Sequence, residues 1–323
     1  MPGALNGATV AITGAAGFLG ARLVDRLARE HCRILRIARS PLPPIDERPA
    51  ATVIDIRGDV GERELWDRVV DADIIFHFAA QTSVAAAAAD PDADFRANVT
   101  PLRHLLAACR DHGRRPIVLF AGTVTQAGIP SRLPVDEHCT DDPITVYDRH
   151  KLMAENDLKA AAAAGTLRGA TLRLANVYGP GAHGRRADRD VLNRMIGAAV
   201  RGQPLTLFGT GEYLRDYIFV EDVVDAFLAA AARIDRVNTR HFVIGSGHGV
   251  SIREAFTLIA ERVESITGRP VAVTAMEPAA PLSRIERRHF VGDHSRFSAV
   301  TGWRPRWSLA AGIDRTIEAL TCA

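Results

Sequence analysis

Lysine is almost absent from this 323-residue chain. Only Lys151 and Lys159 occur, so arginine supplies 38 of the 40 basic residues. With the abundant alanine, this is the composition of a GC-rich genome. It says little about chemistry, but it makes each lysine conspicuous. Cysteine is scarce too. Cys32, Cys109, Cys139 and Cys322 form no Cys-x-x-Cys pair and share no ligand spacing with histidine. That argues against a disulfide scaffold and a metal site, and it suits reduced thiols in the cytoplasm. No uninterrupted apolar run reaches the ~18 residues of a membrane span. The N-terminus lacks the basic start and cleavage site of a secretion signal. A surplus of one charge is also missing. The 40 basic and 38 acidic residues leave a net charge of +2, too little to recruit nucleic acid or an anionic membrane.

What is present is a globular composition, 47% hydrophobic and 24% charged, which excludes general disorder. The length suits one large domain or two ordinary ones. Periodicity predicts strands over 9–13, 33–38, 51–56, 74–78, 117–121 and 171–174. Helices are predicted between them over 18–30, 62–70, 94–112 and 146–164. Repeated strand–helix–strand units imply an α/β fold, a Rossmann-type doubly wound parallel sheet. Beyond about residue 175 the pattern loosens into a smaller mixed α/β C-terminal substrate lobe. It has a loop at 179–190, helices at 191–201, 222–232 and 251–267, a turn-rich stretch at 206–217 and a short strand at 242–244. The expected division is 1–175 for dinucleotide binding and 176–323 for substrate, with about 218–247 returning to the first domain.

The first strand runs into Thr13-Gly14-Ala15-Ala16-Gly17-Phe18-Leu19-Gly20. Glycines at this strand–helix turn allow a pyrophosphate to approach backbone N–H groups, so Gly14, Gly17, Phe18 and Leu19 are candidate cofactor contacts. A dinucleotide site usually has an acid about 20 residues further on, against the adenosine ribose. Here the second strand ends Ile37-Ala38-Arg39-Ser40. An arginine can pair with a 2′-phosphate that a carboxylate would repel. Arg39 therefore favours NADP(H), with NAD(H) as the alternative. Asp59, followed by Val60, is placed to accept from the adenine amino group.

Tyr147 and Lys151 are four residues apart, on one face of a predicted helix. A free tyrosine titrates near ~10, too high for proton transfer at neutral pH. A nearby ammonium, together with an oxidised nicotinamide ring, would lower that value. Thr123, just past the predicted fifth strand, can supply a hydroxyl to the same substrate oxygen.

Together these residues resemble the extended short-chain dehydrogenase/reductase family that acts on nucleotide sugars. The likeness spans nearly the whole chain. It rests on the glycine loop, His77-Phe78-Ala79-Ala80, Asn98, the Tyr147/Lys151 pair and Arg173-Leu174-Ala175-Asn176-Val177-Tyr178-Gly179-Pro180-Gly181. Phe208-Gly209-Thr210-Gly211, Arg215-Asp216-Tyr217 and Val220-Glu221-Asp222-Val223 complete it. The resemblance implies that Thr123 and Tyr147 hold the sugar carbonyl or hydroxyl. It implies that Lys151 binds the nicotinamide ribose and that Ala79 and Ala80 line the cofactor. Asn176, Arg215 and Arg284 would contact the sugar diphosphate. It further implies a homodimer built on the helices at 94–112 and 146–164.

Family dehydratases carry an Asp–Glu pair directly after the catalytic threonine, and family decarboxylases carry a glutamate there. This chain has Val124 and Thr125, which disfavours elimination and decarboxylation. Two reactions remain, reversible 4-epimerisation and one-way ketone reduction. Arg39 tilts the expectation toward reduction. So does the segment around Thr301-Gly302-Trp303-Arg304-Pro305, which is similar to dTDP-4-keto-6-deoxyhexose 4-ketoreductases of antibiotic deoxysugar pathways. The primary expectation is an NADPH-dependent 4-ketoreductase. A 4-epimerase with tightly bound NAD is the alternative, and a non-catalytic dinucleotide-binding regulator a remote third.

Overall fold

The computed structural model describes residues 5–45, 49–181, 191–278 and 283–322. Six strands, separated by helices except between β2 and β3 among the described residues, fill the first half: β1 (Thr9–Thr13), β2 (Arg33–Ala38), β3 (Thr52–Arg57), β4 (Ile74–His77), β5 (Ile117–Thr123) and β6 (Arg168–Leu174). Beyond them come β7 (Asn176–Tyr178), β8 (Leu205–Phe208), β9 (Leu214–Phe219), β10 (His241–Ile244), β11 (Gly249–Ser251) and β12 (Val273–Met276). The main sheet has seven strands in the order β10-β6-β5-β4-β1-β2-β3, and every pairing in it is parallel. The strand order reverses between β1 and β4, which opens a crevice at the carboxyl ends of those strands.

Both faces of the sheet are covered, so its strands are apolar without strict alternation. Val10, Ile12, Ile34 and Phe76 point into one core and Ala11, Leu35, Ile37 and Ile75 into the other. On the first side lie α1 (Phe18–Leu27) and, much later in the chain, α8 (Val220–Ala232). On the second lie α2 (Arg63–Val69), α5 (Thr100–Asp111) and α6 (Val146–Ala163), with α3 (Val84–Ala89) and α4 (Pro91–Asn98) against α6.

The smaller lobe has its own core. Leu192 and Ile196 of α7 (Val191–Val200) meet Phe256 and Ile259 of α10 (Ile252–Thr267) and Ile313 and Ile317 of α12 (Leu309–Thr321). The chain re-enters the large core twice. Strand β10 pairs with β6, after α8 and the short α9 (Ile234–Val237). Phe290, Trp303 and Phe297 of α11 (Ser295–Thr301) then pack against the first face.

Several elements differ from the sequence expectation for local reasons. The single helix expected over 94–112 is two, α4 and α5, divided at Val99 with Pro101 in the first turn of α5. Proline tolerates a first turn but not a helix interior, because it has no N–H to donate. Thr123 is the last residue of β5 rather than a loop residue after it. The stretch expected as turns over 206–217 holds parts of β8 and β9, joined through Gly209 and Gly211 at positive φ. Residues 182–190 of the expected loop lie outside the described residues.

Candidate active site

The glycine loop is shaped by contacts that a Cβ would break. Gly14 has φ +66°, and its carbonyl accepts from Gly17 N–H at 2.7 Å. A Cβ on Gly20 would stand 2.2 Å from that same carbonyl, and one on Gly14 would stand 2.9 Å from the Ala79 nitrogen. The end of β4 thus presses directly on the loop. Thr13 Oγ1 fastens the two, accepting from Phe78 and Ala79 N–H at 3.1 Å each. With its lone pairs engaged, the hydroxyl donates to His77 Nδ1 at 2.8 Å. His77 is therefore neutral, with its proton on Nε2. Burial, followed by the Lys151 charge, pulls its pKa down to about 3.

Helix α1 begins at Gly17 with no side-chain cap and no acid in its first turn. Its leading N–H groups face a cleft of about 680 Å³. An anion can be bound there by those N–H groups and the helix dipole. The cleft runs from Gly14, Gly17, Phe18 and Leu19 past Ala80 to Thr123, Tyr147 and Asn176. The loop, the close backbone approach and the uncapped helix fit the pyrophosphate of a dinucleotide.

At the far end of the cleft, the start of α6 presents Tyr147. Thr145 caps this helix and accepts from Asp148 N–H at 3.0 Å, while Thr145 N–H donates to Asp148 Oδ2 at 3.3 Å. That reciprocal cap fixes the first turn. Lys151, one turn on, is buried with its ammonium 3.9 Å from the centre of the Phe120 ring. Burial drives its pKa down to about 7, against the opposing pull of Glu155 and Asp94. Tyr147 is pushed well above its ordinary value by burial, then by Asp148 and Asp94. The protein alone therefore does not give the lowered tyrosine that the spacing suggested. Burial first, then the Asp148 and Asp94 carboxylates, hold Tyr147 as a neutral phenol.

A family model described as the NAD-dependent epimerase/dehydratase family matches residues 10–245. The chain belongs to this family. Among its relatives is a UDP-glucose 4-epimerase of Mycolicibacterium smegmatis, 31% identical over 315 residues, covering 95% of this chain and 96% of the relative. A UDP-glucose 4-epimerase of Azospirillum brasilense is 30% identical, covering 95% and 90%. Among solved structures, the Thermotoga maritima UDP-glucose 4-epimerase with UDP-glucose superposes with a TM-score of 0.84 at 27% identity, covering 97% of this chain and 99% of that one. MoeE5 in complex with UDP-glucose and NAD gives 0.83 at 29% identity, again covering 97% and 99%.

The remaining candidate residues of this epimerase/dehydratase chain are placed unevenly. Arg39 extends into solvent at the end of β2, its Nη1 3.8 Å from Asp59 Oδ2, and that carboxylate is also exposed. Asp59 Oδ1 accepts from Gly61 N–H at 2.8 Å, and Val60 accepts from the Trp66 indole at 2.8 Å. Arg215 spends its guanidinium on carbonyls. It donates to Leu214 at 3.0 Å, to Glu286 at 2.7 Å and to Arg288. Arg284 is exposed and lines a separate opening with Arg132, Arg287 and His289. Neither arginine lines the cleft described above.

Three further residues belong to the site. Arg36, a charge within an apolar strand, lines the cleft while pairing with Asp55 at 2.7 and 2.9 Å. Thr125 also lines it, and its hydroxyl donates to Asp148. Asp148 is buried and follows Tyr147 directly. A Thr-x-x-Asp cap at 145–148 was the available signal for Asp148. Gln126, by contrast, is structural. It is fully buried, its Oε1 accepts from Thr123 N–H at 3.3 Å, and its Nε2 donates to Glu155 at 3.4 Å.

Proposed function

We propose that this protein is a nucleotide-sugar 4-epimerase acting on a UDP-hexose, with a nicotinamide dinucleotide retained in the cleft. One observation carries this reading. Thr123 and Tyr147 share the cleft, while the two residues after Thr123 are Val124 and Thr125. The cleft therefore has hydroxyls for a proton at O4 but no carboxylate at the position where elimination or decarboxylation needs one. The family relatives described above, named as UDP-glucose 4-epimerases, support the same reading over the ketoreductase expected from sequence.

The residues divide the work by their chemistry. A bound nicotinamide supplies reversible hydride transfer at the sugar carbon. Tyr147 would take the O4 proton as the sugar is oxidised and return it on reduction, acting as the phenolate that the positive charge of a bound oxidised nicotinamide and of Lys151 would favour over the neutral phenol of the protein alone. Thr123, fixed at the end of β5 by Gln126, hydrogen-bonds the same oxygen. Lys151 adds positive charge beneath the site when protonated. Asn176, on β7, reaches the cleft from the substrate lobe and orients the sugar.

One observation favours a second reading, one-way reduction of a 4-ketosugar by NADPH. The strand β2 ends without an acid, and the Arg39 guanidinium stands free enough to meet a 2′-phosphate. The test is to denature freshly purified protein and identify any released nucleotide, then offer NADPH and a nucleotide-linked 4-ketosugar. Stoichiometric dinucleotide with no net NADPH consumption is the expected result. A protein purified without dinucleotide that oxidises NADPH would replace the epimerase with the ketoreductase.

A further inference from the structure

A turn ahead of α11 gathers three arginines on one side. Ser283 N–H donates to Glu286 Oε2 at 2.7 Å, and Glu286 N–H donates to Ser283 Oγ at 3.2 Å. Arg287 N–H donates to the Ser283 carbonyl and Arg288 N–H to the Ile285 carbonyl, each at 3.2 Å. Arg284, Arg287 and Arg288 are thus three and four residues apart on a helical turn, the spacing that shares one face. Arg215 holds the turn in place, donating to the Glu286 carbonyl at 2.7 Å and to the Arg288 carbonyl. All three arginines line an opening of about 600 Å³, whose other wall is the loop at 129–133.

Among the described residues no acid lines this opening. Glu286 is turned back onto Ser283, and Asp136 is engaged by Arg132 at 3.1 Å. Water can offset like charges on Arg284 and Arg287, which are exposed. It cannot do so for Arg288, which is only 8% exposed. The Arg288 Nε is buried without a partner, and Nη1 reaches only the Gly128 carbonyl, at 3.5 Å. Burial, then the Arg215 charge, pull its pKa below the ordinary arginine value. A buried guanidinium with an unmet donor beside like charges costs stability. An anion in the opening would bring both the missing acceptor and the missing charge.

We propose that this opening is a second anion site, distinct from the cleft of Thr123 and Tyr147, and that it takes a phosphate or pyrophosphate group. Three guanidinium groups offer more donors than the two oxygens of a carboxylate can accept. A tetrahedral phosphate has more oxygens, and guanidinium forks engage them in pairs. His289 adds a donor. Its Nδ1 accepts from Leu214 N–H at 3.3 Å, which leaves the ring proton on Nε2. A free ion and a phosphate ester present the same oxygens here. The site does not depend on which sugar reaction the cleft performs.

The test is calorimetric titration of the full chain with inorganic pyrophosphate and, separately, with glucose 1-phosphate. One equivalent should bind, more weakly as salt rises, and the tighter of the two probes distinguishes a free ion from an ester. Arg287→Ser and Arg288→Met should each weaken binding about tenfold or more, the worth of one charge-assisted hydrogen bond. Saturating UDP-glucose should leave binding unchanged. Melting separates a ligand site from a structural arginine. Without anion, Arg288→Met should melt no lower than the wild type, and pyrophosphate should raise the melting temperature of the wild type alone. Arg287 is exposed, so Arg287→Ser carries the binding test if Arg288→Met does not fold. Absence of binding, or equal binding by the wild type and Arg287→Ser, would overturn the proposal. So would displacement of pyrophosphate by UDP-glucose, which would make the opening part of the substrate cleft.

Discussion

At the scale of single residues, the proposed reaction turns on the proton of one half-buried side chain. Tyr147 carries its proton above its ordinary range. Replacing it by phenylalanine keeps the ring and removes the proton. Tyr147→Phe should lower kcat by about 10²- to 10⁴-fold, the usual worth of one general acid–base group. Dinucleotide retention, read from the denatured protein, should be unchanged. Wild-type turnover in that variant would remove Tyr147 from the mechanism.

His77 makes a second prediction. Its folded pKa of about 3 lies far below the ordinary histidine value. Above pH ~6.5 both folded and unfolded forms are neutral there. As pH falls through that value, the unfolded chain gains a proton that the folded chain refuses, so stability is lost. His241, also pulled down by burial, to about 4, acts in the same direction. The melting temperature should fall between pH 7.5 and pH 5, before most carboxylates titrate. His77→Asn, which keeps an acceptor near the Thr13 hydroxyl, should fall less steeply over that range. An equal slope would show that His77 is not the buried neutral group described here.

At the scale of elements, the decisive object is α6 and the network beneath it. Glu155 is fully buried on that helix. It accepts from Arg173 of β6 at 2.6 and 2.9 Å and from Lys159 at 2.5 Å. Arg173 also forks onto Asp141 at 2.6 and 2.9 Å. Since Gln126 joins Glu155 to Thr123, this network ties Thr123 to the helix that bears Tyr147 and Lys151. Removing one partner of a buried ion pair strands the other. Arg173→Met should cost about 3–5 kcal/mol in urea unfolding. A cost below ~1 kcal/mol, the range of a surface pair, would contradict a buried anchor.

The same elements show what could be read from sequence. The glycine loop and the Tyr147/Lys151 pair are local patterns, fixed by spacing along one turn or one helix. The helix expected from 251 starts in the same local way, capped by Ser251, whose side chain accepts from Glu254 N–H at 3.1 Å. The contact between Thr125 and Asp148 joins residues 23 apart, and no spacing rule announces it. Read alone, Thr125 looked inert toward acid–base work. Folding backs it with a carboxylate from the next helix. Arg215 matched a family motif, yet its guanidinium is taken up by carbonyls more than 70 residues downstream. Dense arginine made such assignments weakest from sequence alone. The break between α4 and α5 was visible in Pro101, but the helical spacing of Leu102, Leu105, Leu106 and Cys109 beyond it set the expectation of one helix.

At the scale of the whole molecule, the chain alternates between the two cores, returning to the large one at β10 and again over 290–303 before α12 completes the small one. Strand β10 closes the sheet, and Phe290, Phe297 and Trp303 seal its first face. The small lobe is thereby held by chain that also stabilises the large core. Asn176 of β7 and Thr123 of β5 line one cleft because β6, which runs into β7, pairs with β5 up to Thr123 and Leu174. Such an architecture suits a reaction in which one bound sugar is first oxidised and then reduced in place.

The most direct test is to incubate the purified protein, without added nicotinamide cofactor, with UDP-galactose and to follow the sugar H4 signal by NMR. UDP-glucose should appear until the two hexoses reach a fixed ratio, approached equally from either side, with no net change of cofactor. A sugar that keeps its C4 configuration in both directions, from a folded protein loaded with dinucleotide, would contradict it.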